Sequence, residues 1–377
     1  MADGRRAPVS GLFRGRSGLS VHGVLALAAA LVAAWVLLAQ APDPSRRVRP
    51  LPPTAEAVWP HARRADVPGV LSGGGTFRPT FFLDERASVG AASDPDAGEV
   101  RLVLRAAGGT VRVLRRLPAT AAPQYAGFVR AGGQLVWAES VAGPDGSTRT
   151  ELWRAELAGG APRRITADTG RVRFFGSEHD VVVASGRVYW TSVAPGGRDA
   201  TQVRSVPLGG GRVEVRTEPG AWVLSRWPWL ASAGSSGRAR LRSLATSRVV
   251  TVDAGGDMLD RCGPTWCRVF VLTGGGVRSE LMRPDGSDRQ RVADDATTTP
   301  IVDVAVLDRF EVLCSGTSAL AAAIGGRRLL VYDLVADRLV RVADAAVGVF
   351  YRGGVLWWST GTGPRTAWHA LDLRTVR

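Results

Sequence analysis

Residues 134–166 read QLVWAESVAGPDGSTRTELWRAELAGGAPRRIT. This stretch holds three short apolar or alternating segments, and the turn Ala158-Gly-Gly160 separates the second from the third. Alternation with a period of two residues is typical of β-strands, and Gly-rich turns connect antiparallel strands. The stretch therefore predicts a small antiparallel sheet.

The same order of segments recurs along the chain. Copies begin near residues 99, 134, 187, 227, 267, 328 and 354, which makes seven. Repeats of roughly 40 to 50 residues made only of short strands are typical of four-stranded propeller blades. Helical solenoids need sustained 3.6-residue periodicity, which the sequence lacks. We therefore predict an all-β, seven-bladed β-propeller over residues 65–377, with six or eight blades as alternatives.

The last copy stops after its third strand, at Leu373. A blade that lacks one strand leaves a sheet edge open, and open edges invite pairing with other chains. The segment Ala65 to Leu71 precedes the first copy and can supply the missing strand. We expect the two ends of the propeller to pair with each other.

An apolar segment precedes the propeller. Residues 21–41 hold no charged side chain apart from a possible charge on His22, and about 20 helical residues span a bilayer core. The segment predicts a transmembrane anchor, or a signal peptide cleaved after Ala41. Residues 1–20 then form a basic cytoplasmic N-terminus, and residues 42–64 form a Pro/Arg-rich linker. We expect a single-pass protein of the cell membrane with an extracytoplasmic propeller, or a secreted protein after cleavage.

Two of the three cysteines are close in sequence. Cys262 and Cys267 flank Gly-Pro-Thr-Trp between two strand-like runs, which suits a disulfide across a tight hairpin. Two reduced core thiols are the alternative. A metal site is not expected, since Cys314 is remote and no histidine adjoins the pair. Cys314 lies in an apolar run, so we expect it to be a buried hydrophobic residue.

The net charge of +14 is carried by arginine, because the sequence contains no lysine. Beyond Arg64 the arginines are scattered and form no basic block. Nucleic-acid binders usually cluster their cations on one face. The pattern argues against a nucleic-acid partner, whereas an anionic wall polymer or glycan remains a possible partner.

Catalytic motifs are scarce. The run Ser177-Glu178-His179-Asp180 contains the residue types of a serine triad, but adjacent strand residues point to opposite faces and cannot form a relay. The sequence has no Gly-x-Ser-x-Gly elbow and no phosphate loop in a strand-to-helix context. We therefore predict no catalytic residues, no cofactor and no metal, and keep an enzyme with a site in the central channel as an alternative.

Twelve tryptophans suggest stacking surfaces. Most lie in apolar strand runs, where burial between blades explains them. The segment Trp227-Pro228-Trp229 stands at the start of a blade, so Trp227 and Trp229 are the predicted partner contacts.

The repeat resembles that of TolB-type propellers. The segments Glu280 to Ala293 and Glu151 to Thr166 carry the resemblance, because a strand ends in Asp-Gly or Gly-Gly and returns through a basic-apolar strand. The resemblance implies an extracytoplasmic propeller used for protein contacts. Our expectation is a membrane-tethered, non-enzymatic scaffold that binds an envelope or secreted protein. The anchor and the linker depart from a simple secreted TolB protein.

Overall fold

A computed structural model describes residues 50–377, except 73, 95–97, 144, 198–199, 233–236, 275, 294–296 and 317–324. The predicted segments 1–20 and 21–41 lie outside the described residues. Within the described ranges, no helix is long and apolar enough to cross a bilayer.

The strands form seven antiparallel sheets arranged as the blades of a propeller, which confirms the predicted fold and blade number. Blades 1 and 2 consist of β2 (Thr76–Phe82), β3 (Ser88–Asp94), β4 (Glu99–Arg105), β5 (Val111–Pro118), β6 (Gln124–Ala131), β7 (Gln134–Ala142), β8 (Thr148–Glu156) and β9 (Arg163–Thr166). Blades 3 and 4 consist of β10 (Arg171–Val172), β11 (Val181–Ala184), β12 (Arg187–Val193), β13 (Ala200–Pro207), β14 (Glu214–Pro219), β15 (Trp222–Leu224), β16 (Trp229–Ser232), β17 (Arg238–Ser243) and β18 (Val249–Asp253).

The remaining blades follow the same order. Blades 5 and 6 consist of β19 (Met258–Cys262), β20 (Cys267–Thr273), β21 (Gly276–Met282), β22 (Gln290–Ala293), β23 (Thr297–Thr298), β24 (Phe310–Ser315), β25 (Arg327–Asp333) and β26 (Arg338–Ala346). Blade 7 consists of β27 (Val349–Arg352), β28 (Val355–Thr360), β29 (Ala367–Asp372) and β1 (Arg64–Pro68). Short helices are α1 (Ala55–Val58) and the 3-10 turns Ala119–Ala121, Gly363–Arg365 and Leu373–Thr375.

Alternation along the strands places apolar side chains between the blades. In β17, Ala239 and Leu241 are buried, whereas Arg238 and Arg240 are exposed. Side chains that alternate in this way give each sheet a face that packs on the next blade. The first strands β2, β6 and β11 contact one another across blade boundaries, as expected for the strands nearest the central axis.

The ring is closed by pairing of its two ends. Strand β1 runs antiparallel to β29, in a register that sets Arg64 opposite Leu371 and Pro68 opposite Ala367. Val67 of β1 is 1% exposed and packs in the core of blade 7. The N-terminal strand therefore supplies the outer strand of the last blade, as the sequence predicted.

The folded unit begins before β1. It starts at Pro52, and the carbonyl of Pro53 accepts a hydrogen bond from the backbone of Arg341 in blade 6 (2.8 Å). Trp59 is buried and packs edge-on against Phe310, with ring centroids 5.7 Å apart. The C-terminal part of the predicted linker 42–64 therefore packs on the propeller, because α1 and Trp59 supply apolar surface that blade 6 buries.

We expect Val67→Ala to lower the free energy of unfolding by about 2 kcal/mol, because it removes buried methyl groups from the closing strand. Urea denaturation of the full-length chain measures the loss. The control is Val249→Ala, since Val249 lies on the outer strand of blade 4 and is 44% exposed. Its expected loss is below about 0.5 kcal/mol. Equal losses in the two variants would show that closure through β1 adds no special stability.

Candidate functional site

Two of the innermost strands are interrupted by inserts. In blade 3, Val172 pairs with Ser192 and Val181 pairs with Trp190, so residues 173–180 face a single residue of β12. We call residues 173–180 the blade 3 insert. In blade 6, residues 299–309 separate β23 from β24, and we call them the blade 6 insert.

The blade 3 insert is closed by its own side chains. The carboxylate of Asp180 accepts hydrogen bonds from the backbone N–H of Phe175 (3.0 Å) and of Gly176 (2.8 Å). Gly176 has a φ of 80°, a conformation that glycine adopts without strain. These bonds to Asp180 replace part of the strand pairing that the insert gives up.

The two inserts meet at the central axis. Ser177 Oγ donates to Asp303 Oδ1 (2.5 Å), and the backbone N–H of Glu178 donates to Asp303 Oδ2 (2.9 Å). At least two blades separate blade 3 from blade 6 in either direction around the ring, so this contact crosses the channel. Ser177 and Asp303 are both buried. The inserts therefore narrow one end of the central channel.

Blade 7 contributes a buried arginine to the same place. Arg352 Nη2 donates to the carbonyl of Ser177 (2.7 Å), and Nη1 donates to the carbonyl of Phe128 in blade 2 (3.3 Å). The adjacent N–H of Gly353 donates to Glu178 Oε2 (3.1 Å). Contacts among blades 2, 3, 6 and 7 place these groups on the axis.

A second buried arginine holds the blade 6 insert. Arg268 is 1% exposed, and its Nε donates to Glu311 Oε1 (2.6 Å) while its Nη2 donates to the carbonyl of Asp303 (2.8 Å). Glu311 Oε2 accepts from the backbone N–H of Ala305 (2.8 Å). The ion pair thus fixes the insert at both of these backbone positions.

Burial changes the protonation of the insert. Burial and the nearby Asp303 carboxylate raise the pKa of Glu178 to about 7, and burial raises the pKa of Asp180 to about 6. Burial lowers the pKa of His179. His179 Nε2 lies 3.9 Å from Glu178 Oε1. The site therefore places a carboxyl group with a raised pKa beside an imidazole with a lowered pKa.

Two cavities adjoin Glu178. The first, which we call the channel cavity, has a volume of about 160 Å³ and lies among blades 3, 4, 5 and 6. Its titratable and charged lining residues are Glu178, His179, Asp180, Arg226, Arg261, Asp303 and Asp308. The second, the Phe cavity, has a volume of about 410 Å³ and lies among blades 1, 2 and 7. Because Glu178 lines both, its carboxyl group can act on a ligand in either cavity.

The cysteine hairpin lies at the rim of the channel cavity. Cys262 and Cys267 form a disulfide with an S–S distance of 2.01 Å, and residues 262–266 line the cavity. Arg268 follows directly, so the hairpin and the buried ion pair belong to one segment. The free Cys314 is buried in the core of blade 6.

The two predicted tryptophan contacts lie away from the channel. Trp227 packs on Tyr189 with ring centroids 3.9 Å apart, and it lines a separate cavity of about 450 Å³ between blades 3 and 4. Trp229 is half-buried in β16. The structure therefore does not bring Trp227 and Trp229 into the same site as Glu178.

The sequence identified the run Ser177 to Asp180 but not its arrangement. Ser177 Oγ donates to Asp303, and His179 meets that oxygen only through its backbone N–H (3.1 Å), so the run forms no serine relay. The side chains lie on an insert rather than on a strand. Within the described ranges, no group of three His, Cys, Asp or Glu residues has an arrangement that could hold a metal ion.

The residues contributed by other blades were missed. Asp303 and Arg352 have no motif around them, and each is more than 120 residues from its partner in the blade 3 insert. The available signal was the lack of alternation between Arg171 and Val181, where the sequence contains two phenylalanines and a glycine.

Comparison with known proteins shows the fold. No family model matches this chain, and no curated protein matches it. A solved structure of a prolyl endopeptidase is 15% identical, has a TM-score of 0.50, and is matched over 96% of this chain and 53% of its own. A puromycin-hydrolyzing peptidase from Mycobacterium tuberculosis is 14% identical, with a TM-score of 0.46 and coverage of 84% and 54%. A TolB-type protein from Agrobacterium tumefaciens is 14% identical, with a TM-score of 0.39 and coverage of 62% and 83%.

These comparisons correct the predicted function. The expectation of a non-enzymatic scaffold came from the TolB resemblance, yet the solved structure that is matched over 96% of this chain is a prolyl endopeptidase. The prediction of a non-enzymatic scaffold is therefore wrong, and its enzyme alternative agrees better with these findings. The chain spans about half the length of the prolyl endopeptidase and of the puromycin-hydrolyzing peptidase. At these identities the likeness shows the fold, and the peptidase activities are those of the other proteins.

We expect Arg268→Met to lower the free energy of unfolding by about 3–5 kcal/mol, because it leaves the buried Glu311 without its counter-ion. The matched double variant Arg268→Met with Glu311→Leu should be more stable than the single variant, since no buried charge is then unpaired. Urea denaturation of the full-length chain at pH 7 measures both. A double variant no more stable than Arg268→Met alone would contradict the role of the ion pair.

Proposed function

We propose that this chain is a hydrolase that works by acid–base catalysis at the end of the central channel. The observation that carries the proposal is the position of Glu178 beside His179 at the channel cavity, with 3.9 Å between Oε1 and Nε2. A raised carboxyl pKa and a lowered imidazole pKa supply an acid and a base at the same pH. Groups with such shifts in a cleft are typical of active sites.

Each group has a defined role in this mechanism. Neutral His179 takes a proton from a water molecule as the water oxygen bonds to the carbonyl carbon of an amide or ester. Glu178 gives its proton to the leaving nitrogen or oxygen as the old bond breaks. The imidazolium and the carboxylate that result are neighbours, so one proton transfer between them restores the starting state.

Asp303 and Arg352 are positioning residues. Both oxygens of Asp303 accept hydrogen bonds from the blade 3 insert, and Arg352 donates to the carbonyl of Ser177. These bonds fix the peptide group that joins Ser177 to Glu178. Holding catalytic groups in place before substrate binds lowers the barrier, because little reorganisation is left for the reaction itself.

We also propose that the propeller lies outside the cytoplasm. The Cys262–Cys267 disulfide supports this location, because structural disulfides persist mainly in oxidising compartments. The choice between an anchor at 21–41 and cleavage after Ala41 stays a prediction, as do an envelope or secreted protein partner and an anionic wall polymer.

We expect Glu178→Gln to lower kcat by about 10²–10⁴-fold, because glutamine cannot donate the proton. The full-length chain is assayed with aminoacyl and peptidyl anilides and with nitrophenyl esters. The matched control is Glu156→Gln, on an exposed hairpin of blade 2, which should keep its activity. Failure of every substrate class, or full activity in Glu178→Gln, would refute the proposal.

The activity should also depend on pH. Raising the pH through about 7 removes the proton from Glu178, so kcat/KM of the wild-type enzyme should fall on the alkaline side. Lowering the pH protonates His179 and removes the base, so activity should fall on the acid side below the usual histidine pKa. If kcat/KM of Glu178→Gln still falls as the pH rises through about 7, a group other than Glu178 causes that fall.

A further inference from the structure

The Phe cavity has features that the proposed chemistry does not use. Its volume of about 410 Å³ falls within the range of small-molecule sites, roughly 300–1,000 Å³. Its floor is apolar, since Phe81 and Phe128 stack there with ring centroids 5.9 Å apart. Phe128 in turn stacks on Trp137 at 6.4 Å, which holds the floor rigid. An apolar floor of this kind favours a ring or an aliphatic group.

Arg352 lines the Phe cavity with unused donors. A guanidinium has five N–H donors, and Arg352 makes two hydrogen bonds, both to backbone carbonyls. Three donors therefore have no acceptor among the described residues. No carboxylate within the described part of the chain lies in ion-pair distance of Arg352, although the residue is only 7% exposed. A buried cation without a direct counter-ion favours an anionic ligand.

A second cation stands at the rim. Arg130 is exposed and its Nε donates to the carbonyl of Gly132 (3.2 Å), with no carboxylate paired to it in the described ranges. Arg374 also lines the cavity, but Asp372 neutralises it through two hydrogen bonds of 2.8 Å. The attraction for an anion therefore comes from Arg352 in the wall and from Arg130 at the opening.

Glu178 is the only carboxylate among the described residues that line the Phe cavity. When Glu178 carries a proton, the cavity has positive charge and no negative charge. When Glu178 ionises, its charge opposes an anionic ligand. The cavity is thus suited to a carboxylate at the pH where Glu178 is an acid.

We propose that the Phe cavity binds a carboxylate attached to an aromatic or bulky aliphatic group. The apolar group lies on Phe81 and Phe128, and the carboxylate accepts hydrogen bonds from Arg352 and Arg130. Glu178 lines both cavities. In one respect the inference rests on the proposed function, because it takes the molecule bound in the Phe cavity to be part of the substrate that is hydrolysed beside Glu178. The substrate class is then an N-acylated apolar amino acid or a short peptide that ends in one, with the amide bond next to Glu178.

Calorimetry on the full-length chain at pH 6 tests the inference with three probes. N-acetylphenylalanine carries both the ring and the carboxylate. N-acetylphenylalanine amide keeps the ring but lacks the negative charge, and N-acetylglycine keeps the carboxylate but lacks the ring. We expect the first to bind at least about tenfold more tightly than the other two, because each loses one set of contacts. Equal binding of the amide would overturn the carboxylate, and equal binding of N-acetylglycine would overturn the apolar group.

Two arginine variants locate the binding. Arg130→Gln should weaken binding of N-acetylphenylalanine about tenfold, whereas Arg338→Gln, an exposed arginine on blade 6, should leave it unchanged. Arg352→Gln should abolish binding, with thermal unfolding measured in parallel because Arg352 also holds the inserts. Unchanged binding in Arg130→Gln would overturn the site, and this variant avoids the buried contacts.

The pH dependence separates this inference from the proposed function. Binding to the wild-type chain should weaken between pH 6 and pH 8 as Glu178 ionises, and Glu178→Gln should bind with no such change. The other groups that face Glu178 are His179, Arg226, Asp303, Tyr351 and Arg352. His179 has a lowered pKa and Tyr351 a raised one, so neither accounts for a change in this window. Asp180, whose pKa burial raises to about 6, also acts on Arg352, and a change that Asp180 causes would persist in Glu178→Gln. If binding to Glu178→Gln weakens over the same pH range as binding to the wild-type chain, another group causes the change and the role proposed for Glu178 is wrong.

Hydrolysis and binding can fail independently. Tight binding of N-acetylphenylalanine without hydrolysis of any substrate class would refute the proposed hydrolase and keep the binding site. Hydrolysis that depends on Glu178, without binding of this probe, would refute the binding site and keep the hydrolase.

Discussion

The pairing of β1 with β29 is the interaction on which the rest of the structure depends. The pairing completes the last sheet, so that its edge is covered and Val67 packs in the apolar core at the junction of the two ends. Closure also brings the first strands of the blades together around one axis. Inserts that leave two of these strands can then meet, although more than 120 residues separate Ser177 from Asp303 in sequence.

The properties of the site follow from where the inserts meet. Near the axis, water is displaced by blades on all sides, so a charged group there loses much of its hydration. Glu178 and His179 respond by favouring their neutral forms. Arg268 is held by hydrogen bonds to Glu311, Asp260 and backbone carbonyls, whereas Arg352 donates only to two backbone carbonyls. The site therefore depends on burial more than on the identity of any single motif.

The fold could be predicted because its signal is local. Apolar and polar residues alternate within strands such as β17, and Gly-rich turns connect the strands. This pattern is weak in any one blade, but its repetition over seven blades predicts a propeller. The site could not be predicted in the same way, since it joins single residues from four blades without a shared spacing. The run Ser177 to Asp180 was visible in the sequence, but its geometry depends on an insert whose partners lie elsewhere. The scaffold prediction was wrong because short repeat motifs report a fold and not an activity.

The hydrogen bonds from Ser177 and Glu178 to Asp303 cross the central channel. In a circular array held only by neighbouring contacts, small angular changes at each interface accumulate around the circle. A link between opposite blades fixes the distance across the circle, so these changes can no longer add up freely. The distance between the blade 3 insert and Asp303 is consequently set by the dimensions of the whole ring, and a substitution at a distant interface between two blades can shift the insert that carries Glu178 and His179.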